Sequence, residues 1–455
     1  MPPVSEPGSA VSEPARQTPV LGDYEVVVVG GGPAGITAAA AAARAGRSTI
    51  LIERYGYLGG AGPAGGLSTF CGLHANVHGE HRRVIRGLAD DLLDRLTALD
   101  GLSEPHLSLG ERVAAQAFDI SAYKIAADEL VSGSGATLLY HAMVTGVSMT
   151  AADRIGAVFV ESKSGRHAIR GQVFIDCSGD GDVAAWSGAP FEKGSTAQDM
   201  LFPSLMFRIN GVDAAKAGQA WKVVAGKMDE AEAAGTHKFP RKRPIVRPQR
   251  NPIEWRANMS QLANPDGSPV DGTDVWQLSY GELIGRRQTW DAWEFIRDVT
   301  PGFADSYIVD IAPQVGIRET RRIVGEYQLT QDDVLDCADF PDSIGVNGWP
   351  VEAHVAGDVD IRFPRGDNPR GFNQLPFRMI MPQAVDNLYV AGRCASMTHG
   401  GQSAARVSGP CFAMGQAAGT AADLALKSGS GCREVDYGQL RDRLLADGAY
   451  LGEEW

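Results

Sequence analysis

Residues 24–53 read YEVVVVGGGPAGITAAAAAARAGRSTILIE, and the fold follows from how this stretch divides. Tyr24 to Val29 is a short Val-rich run with the composition of a buried strand. GGGPAG, Gly30 to Gly35, follows at once and breaks it with turn residues. The Ala-rich segment to Ala45 favours helix, and Arg47 to Glu53 is a second strand. Together these make one βαβ unit of about thirty residues. Gly30, Gly32 and Gly35 have GxGxxG spacing between strand and helix. The first glycine permits the tight turn, and the second lets the backbone approach a pyrophosphate. The third lets helix and strand pack closely, while the helix N-terminus faces the phosphate charge. Ala34 lies in the same turn. Glu53 ends the second strand eighteen residues after Gly35, where a carboxylate accepts hydrogen bonds from a ribose. Arg54 follows it and joins the cofactor-contacting set. A chance Gly-rich turn would leave Glu53 without a role.

Outward from this unit, Ile120 to Val131 has helical spacing, and residues 136–149 (ATLLYHAMVTGVSM) read as a strand or strand pair. Arg154 to Val160 and His167 to Ile175 alternate like an antiparallel hairpin with Ser164 and Gly165 at its turn. VFIDCSGDGD (173–182) is a strand ending in a Gly-Asp loop. From Thr196 to Pro369 the composition shifts to Trp, Pro, Arg and short strands. At Asn387 the strand–turn–helix pattern of the N-terminal unit returns, with NLYVAGR as strand and turn and Gly409 to Lys427 as a small-residue helix. The expected organisation is a tail over 1–21, a dinucleotide-binding domain in two pieces (22–195 and 370–430), a substrate domain over 196–369, and a C-terminal segment over 431–455.

The 455 residues carry a formal charge of −13, which repels a phosphate backbone and argues against nucleic acid. The first twenty residues are rich in Pro, Ser and Glu and lack a long apolar core, so they read as disordered tail rather than signal peptide. The most apolar run is broken by Gly and Pro, so no membrane span is expected. Six scattered cysteines form no CxxC pair. That disfavours a zinc site, a disulfide framework and disulfide-reductase chemistry, and fits a cytoplasmic setting.

Three further stretches separate FAD from NAD. Leu58-Gly59-Gly60 follows Glu53, IDCSGDGDVAAWSGAPF spans Ile175 to Phe191, and NLYVAGRCASMTHGGQSAARVSGPCFAMGQAAGTAA spans Asn387 to Ala422. With GIRETRRIVGEYQLT (316–330) and LPFRMIMP (375–382), they resemble, in order and over nearly the whole chain after Leu21, the FAD-dependent oxidoreductase family of glutathione-reductase-type flavoproteins. That family is distantly similar to the fumarate reductase and succinate dehydrogenase flavoproteins. The resemblance implies an α/β fold, with a discontinuous Rossmann-type FAD-binding domain and an inserted β-rich substrate domain. It also implies that Gly59 and Gly60 pass close to FAD, that Val144 lies near the adenine, and that Ser178 and Gly179 end a strand beside the pyrophosphate or ribityl chain. Gly392 and Arg393 would begin the second cofactor-contacting turn, and Ser403 lies in the same C-terminal flavin motif. The helix near Gly409 would aim its positive end at the flavin, or simply pack closely through its Ala and Gly residues.

For the chemistry, His74 and His78 in CGLHANVHGEH and His399 in SMTHGGQSAAR are the candidate bases. Solvated loop histidines are the alternative, above all for His81 beside Arg82 and Arg83. A metal site would need a further ligand that the sequence does not identify. Arg318, Arg321 and Arg322 read first as a structural network with Glu319 and Glu326, and second as a carboxylate site. RKRPIVRPQR (241–250) offers an anion-binding run, but its prolines suggest an extended, solvated loop. The expected function is two-electron oxidation of a small organic substrate, with oxygen or another acceptor restoring the flavin and a homo-oligomer left open. The rivals are an NAD(P)H-using monooxygenase and a flavoprotein module acting with a protein or tRNA partner.

Overall fold

The computed structural model describes residues 10–196 and 199–453. Of the expected tail, residues 1–9 lie outside the described residues; 10–19 are largely exposed and without regular structure. Strand β1 (Val20–Val29) then enters the core, with Val26, Val27 and Val28 fully buried. Helix α1 (Pro33–Arg44) follows the glycine turn and leads to strand β2 (Thr49–Ile52), which pairs parallel with β1 from Val26↔Thr49 to Val29↔Ile52. Helix α2 (Ile120–Gly133) starts where Asp119 accepts the Ala122 N–H at 2.8 Å. It leads to β3 (Thr137–Leu139), parallel outside β2. Next come β4 (Met143–Ala151), β5 (Arg154–Ser162) and β6 (Gly165–Asp176). β5 and β6 form the expected antiparallel hairpin, and β6 runs back parallel beside β1.

After the insertion the chain returns as β7 (Leu388–Val390), parallel to the last residues of β6. The sheet order is β3-β2-β1-β6-β5-β4, with β7 on β6. The five parallel strands thus end on one side, where ligands bind in open α/β sheets. Helices α3 (His399–Ala405) and α4 (Ser408–Ser428) follow. A Cβ on Gly415 would lie 2.0 Å from the Ala34 carbonyl oxygen, and one on Gly419 would lie 2.2 Å from that of Ala38. The small residues therefore let α4 press on α1, where the Thr37 hydroxyl donates to the Phe412 carbonyl at 2.8 Å.

Between β6 and β7 lies an antiparallel sheet ordered Ile245–Pro248, Trp255–Asn258, Phe207–Asn210, Tyr307–Ile311. Helices Ala220–Ala233 and Val275–Val299 pack on one of its faces. The 25-residue helix Val275–Val299 occupies a region where the sequence suggests only short strands and irregular chain. The solvated-loop expectation for residues 241–250 is also corrected. Arg241 is 3% exposed, and Ile245–Pro248 pairs with Trp255–Asn258, its proline standing at the strand end where no ladder bond is lost. Among the described residues, no helix is long and apolar enough to cross a membrane.

Candidate functional site

The glycine turn opens at the C-terminal end of β1. Gly30 has φ +98, and a Cβ there would strike the Cys177 carbonyl at 2.4 Å. A Cβ on Gly35 would lie 1.8 Å from the Gly30 carbonyl oxygen. Both are glycine because the protein itself leaves no room. Gly32 differs: its φ is an ordinary −75, and a Cβ would meet nothing nearer than the Gly60 Cα at 3.8 Å. The space above Gly32 is open to an anion. No side chain caps the N-terminus of α1, so its first N–H groups remain available to that anion.

Glu53 is 6% exposed and accepts the Gly31 N–H at 2.7 Å and the Tyr55 N–H at 2.9 Å. Burial pushes its carboxyl up, against those two bonds. Gly59 donates to the Gly31 carbonyl at 2.8 Å, and a Cβ on Gly60 would lie 2.9 Å from the Gly32 Cα. Ala34 faces Gly392, whose Cβ would lie 3.1 Å from its own. Ser178 packs on Gly30 and donates twice to Asp176. Val144, on β4, lies two residues beyond Ala142, whose N–H donates to the Glu53 carbonyl at 3.2 Å. Arg54 is exposed, with its guanidinium 5.0 Å from the Tyr55 ring.

A Cβ on Gly179 would meet the Arg393 guanidinium at 3.0 Å. Arg393 donates to Asp180 at 2.8 Å and to the Thr320 hydroxyl at 3.0 Å. Burial works to raise the Asp180 carboxyl, but Arg393, Arg54 and Thr320 outweigh it and hold Asp180 low. Asp182, beside it, is pushed up to about 6 by burial and by Asp180 and Asp176, although Arg321 donates to it at 2.7 Å.

One residue before Thr320, Glu319 turns to His399. The His399 Nδ1 lies 3.0 Å from one Glu319 oxygen and 3.2 Å from the other. Glu319 is itself fixed by the Gly194 N–H at 3.1 Å, the Leu201 N–H at 2.8 Å and the buried Arg322 guanidinium. His399 opens α3, and Ser403 on the same helix donates back to the His399 carbonyl at 2.9 Å. Gln402 donates to the Arg318 carbonyl at 3.1 Å and the Arg393 carbonyl at 3.4 Å, tying α3 to the turn at Gly392 and Arg393. The sequence singles out the arginines of GIRETRR, but it is the glutamate among them that reaches the histidine. Arg322 does pair with Glu319; Arg321 goes to Asp182, Arg318 to the Phe202 carbonyl and the Ser204 hydroxyl, and Glu326 faces Arg433 instead.

His74 and His78 lie elsewhere, on a hairpin of His74–Val77 and Glu80–Arg83 that leans on Gly348 and Gly371. His78 is exposed at the turn, its Nδ1 3.0 Å from the Asn368 carbonyl, and the His81 Nε2 lies 2.9 Å from the Glu111 carbonyl. His74 is half-buried with an unpartnered Nδ1. Burial first, then Arg83 and His81, lower its pKa from 6.5 to about 4. A group whose folded pKa is depressed binds its proton more readily when unfolded. Its contribution therefore destabilises the fold as pH falls from about 6.5 to about 4. His74→Gln should flatten the loss of unfolding temperature across that window, and an equal loss in wild type and variant would remove His74 as its source.

A further buried polar cluster has no counterpart among the expected site residues. Glu352 accepts from the Trp349 indole at 2.7 Å and pairs with the His354 Nε2 at 3.1 Å, while Arg406 donates to its carbonyl at 3.2 Å. Burial works to raise the Glu352 carboxyl, but these partners hold it down at about 2. Glu352 and His354 are two apart on a strand, the spacing that shares a face, but alternating polar residues read equally as a solvent face.

A family model described as FAD dependent oxidoreductase matches residues 25–444. Comparison with curated protein sequences gives no match. Among solved structures, a geranylgeranyl bacteriochlorophyll reductase-like protein from Thermoplasma acidophilum is 15% identical, with TM-score 0.44, over 93% of this chain and 82% of that one. The p-nitrophenol 4-monooxygenase of Pseudomonas putida DLL-E4 is 13% identical, with TM-score 0.45, over 95% of this chain and 90% of that one.

Proposed function

Because the chain belongs to the FAD dependent oxidoreductase family, we propose that it oxidises a small organic substrate at a C–H or C–N bond, with oxygen or another acceptor taking the electrons onward. The observation that carries this reading is the Glu319–His399 pair. Bound FAD supplies the two-electron acceptor; the chain must hold it, place the substrate and take the proton. The Gly30–Gly35 turn and the α1 N-terminus would hold the pyrophosphate, and Glu53 the adenosine ribose. Glu319, fixed on several sides, offers Nδ1–H of His399 a permanent acceptor. That selects the tautomer with Nε2 free to act as base. Nε2 makes no hydrogen bond among the described residues, and the His399 side chain is 22% exposed. When Nε2 takes a proton, the buried negative charge of Glu319 stabilises the imidazolium.

The direct test is anaerobic screening for compounds that bleach the bound flavin, followed by admission of air. The substrate, rather than a pyridine nucleotide, is expected to reduce it. The chain has one strand–GxGxxG–helix setting, at β1 and α1, and FAD uses it. The same glycine spacing recurs in GAGPAG (60–65) and GDGDVA (179–184), but each opens a helix of only 5 residues, not the long helix of a separate nucleotide-binding unit. Stopped-flow mixing with NADH and NADPH, with and without candidate substrates, should give slow reduction. Rapid bleaching by micromolar NADPH would replace the oxidase or dehydrogenase reading with the monooxygenase one.

A further inference from the structure

The inserted sheet packs Phe207, Ile209, Val246, Trp255 and Ala257 on its two helices. Its opposite face carries a row of arginines, because Arg256 stands directly across from both Arg208 and Arg247 on the flanking strands. Like charges facing each other across strands are destabilising. Arg208 is offset by Glu254 at 3.1 Å and Asp310 at 3.4 Å. Arg256 is not offset. It is 6% exposed, its Nε and Nη1 are buried without a partner, and its side chain makes no hydrogen bond or ion pair among the described residues. Arg247 has a buried, unpartnered Nη1, and its guanidinium lies 5.0 Å from the Trp221 ring. Two residues on from Arg256, and so on the same face, Asn258 is 1% exposed with an unpartnered side-chain oxygen. A cavity lined by Ser68, Asp100, Asp119, Arg208, Arg250 and Glu254 reaches this row at Arg208.

A buried guanidinium with no partner is costly, and proteins rarely leave one so. We propose that Arg256, with Arg247 beside it, binds a carboxylate of the substrate. The guanidinium fork matches that group's planar pair of oxygens. This inference rests on the oxidation reading. The Cys71 thiol, pushed up to about 12 chiefly by burial, feels Glu352, Arg256 and Arg406 together. Arg406 immediately follows α3, the helix that His399 begins, and its Nε is likewise unpartnered.

The test uses the purified FAD-loaded protein and needs no turnover. Benzoate and succinate are titrated by calorimetry, and unfolding temperature is followed against phosphate and chloride at equal ionic strength. At least one carboxylate should bind saturably and raise the unfolding temperature, while phosphate and chloride do not. Arg256→Gln should weaken that binding roughly tenfold to a hundredfold, the loss expected for hydrogen bonds to a charged group. Arg256→Lys, which keeps the charge but not the fork, should recover only part of it. His399→Ala should keep carboxylate binding. If carboxylates bind the wild type and bind Arg256→Gln more weakly while no compound reduces the flavin, the redox reading fails and this one stands. If Arg256→Gln does not fold, Arg256→Lys and Arg247→Gln carry the comparison. No carboxylate binding by wild type, equal binding in the arginine variants, or stabilisation by phosphate alone would overturn the proposal.

Discussion

Gly32→Val should give a folded protein without colour. The backbone at Gly32 is already in a region any residue adopts, and a Cβ there would touch no protein atom within 3.4 Å. The side chain would instead occupy the space in front of the α1 N-terminus, where the cofactor's pyrophosphate must approach the backbone closely. FAD content after purification and reconstitution should fall to near zero. Unfolding temperature should match that of wild type stripped of flavin, because bound cofactor by itself stabilises the fold. Gly35→Ala is the contrast. Its Cβ would collide with the Gly30 carbonyl, so it should damage the fold itself. A yellow Gly32→Val protein would mean that the turn holds something other than a dinucleotide.

These two glycines also mark what the sequence reveals and what it hides. The βαβ unit is legible because its signals are local: a Val-rich run, glycines at fixed spacing and an acid at the next strand end all fall within about thirty residues. The hairpin over β5 and β6 and the small-residue α4 are legible for the same reason. Helix Val275–Val299 is not. Its buried side includes Gly281, Gly285, Thr289 and Ala292, small residues that fit against Val270, Leu205 and Leu262. Meanwhile Trp276, Leu283 and Trp290 stand exposed on the other side. Only in the last two turns do large residues, Trp293, Phe295 and Ile296, turn inward, and a helix that buries small residues and exposes large ones over most of its length hides its period from any count of hydrophobic residues. The candidate site is hidden differently. Glu319, Glu352, Arg256 and Arg406 come from distant parts of the chain, so no spacing links them. In the sequence Glu319 reads as a counter-ion among three arginines, and only the fold shows that its carboxylate also reaches His399.

His399→Ala should retain FAD and carboxylate binding yet slow flavin reduction by substrate roughly 10²–10⁴-fold, the range for loss of a positioned general base. The retained binding follows from the geometry. The His399 ring bonds to Glu319 but to none of the glycines of the Gly30–Gly35 turn, and Arg393 is held by Asp180 and Thr320 without it. Glu319→Gln should act through His399, because the amide can still accept Nδ1–H but no longer carries the charge that favours a protonated imidazole. That substitution also leaves Arg322, 1% exposed, without its closest counter-charge. Breaking such a buried pair costs about 3–5 kcal/mol, so its unfolding temperature must be measured beside its rate. A merely structural histidine and a base separate in the pH profile. For a base, the limb of the reduction rate that reports His399 ionisation should disappear in His399→Ala, and added imidazole should restore part of the rate at high concentration. Single-turnover anaerobic reduction with saturating substrate reads both. If His399→Ala reduces at the wild-type rate across the profile, proton removal lies with another group, and the Glu319–His399 pair does no more than join α3 to the strand-end loops.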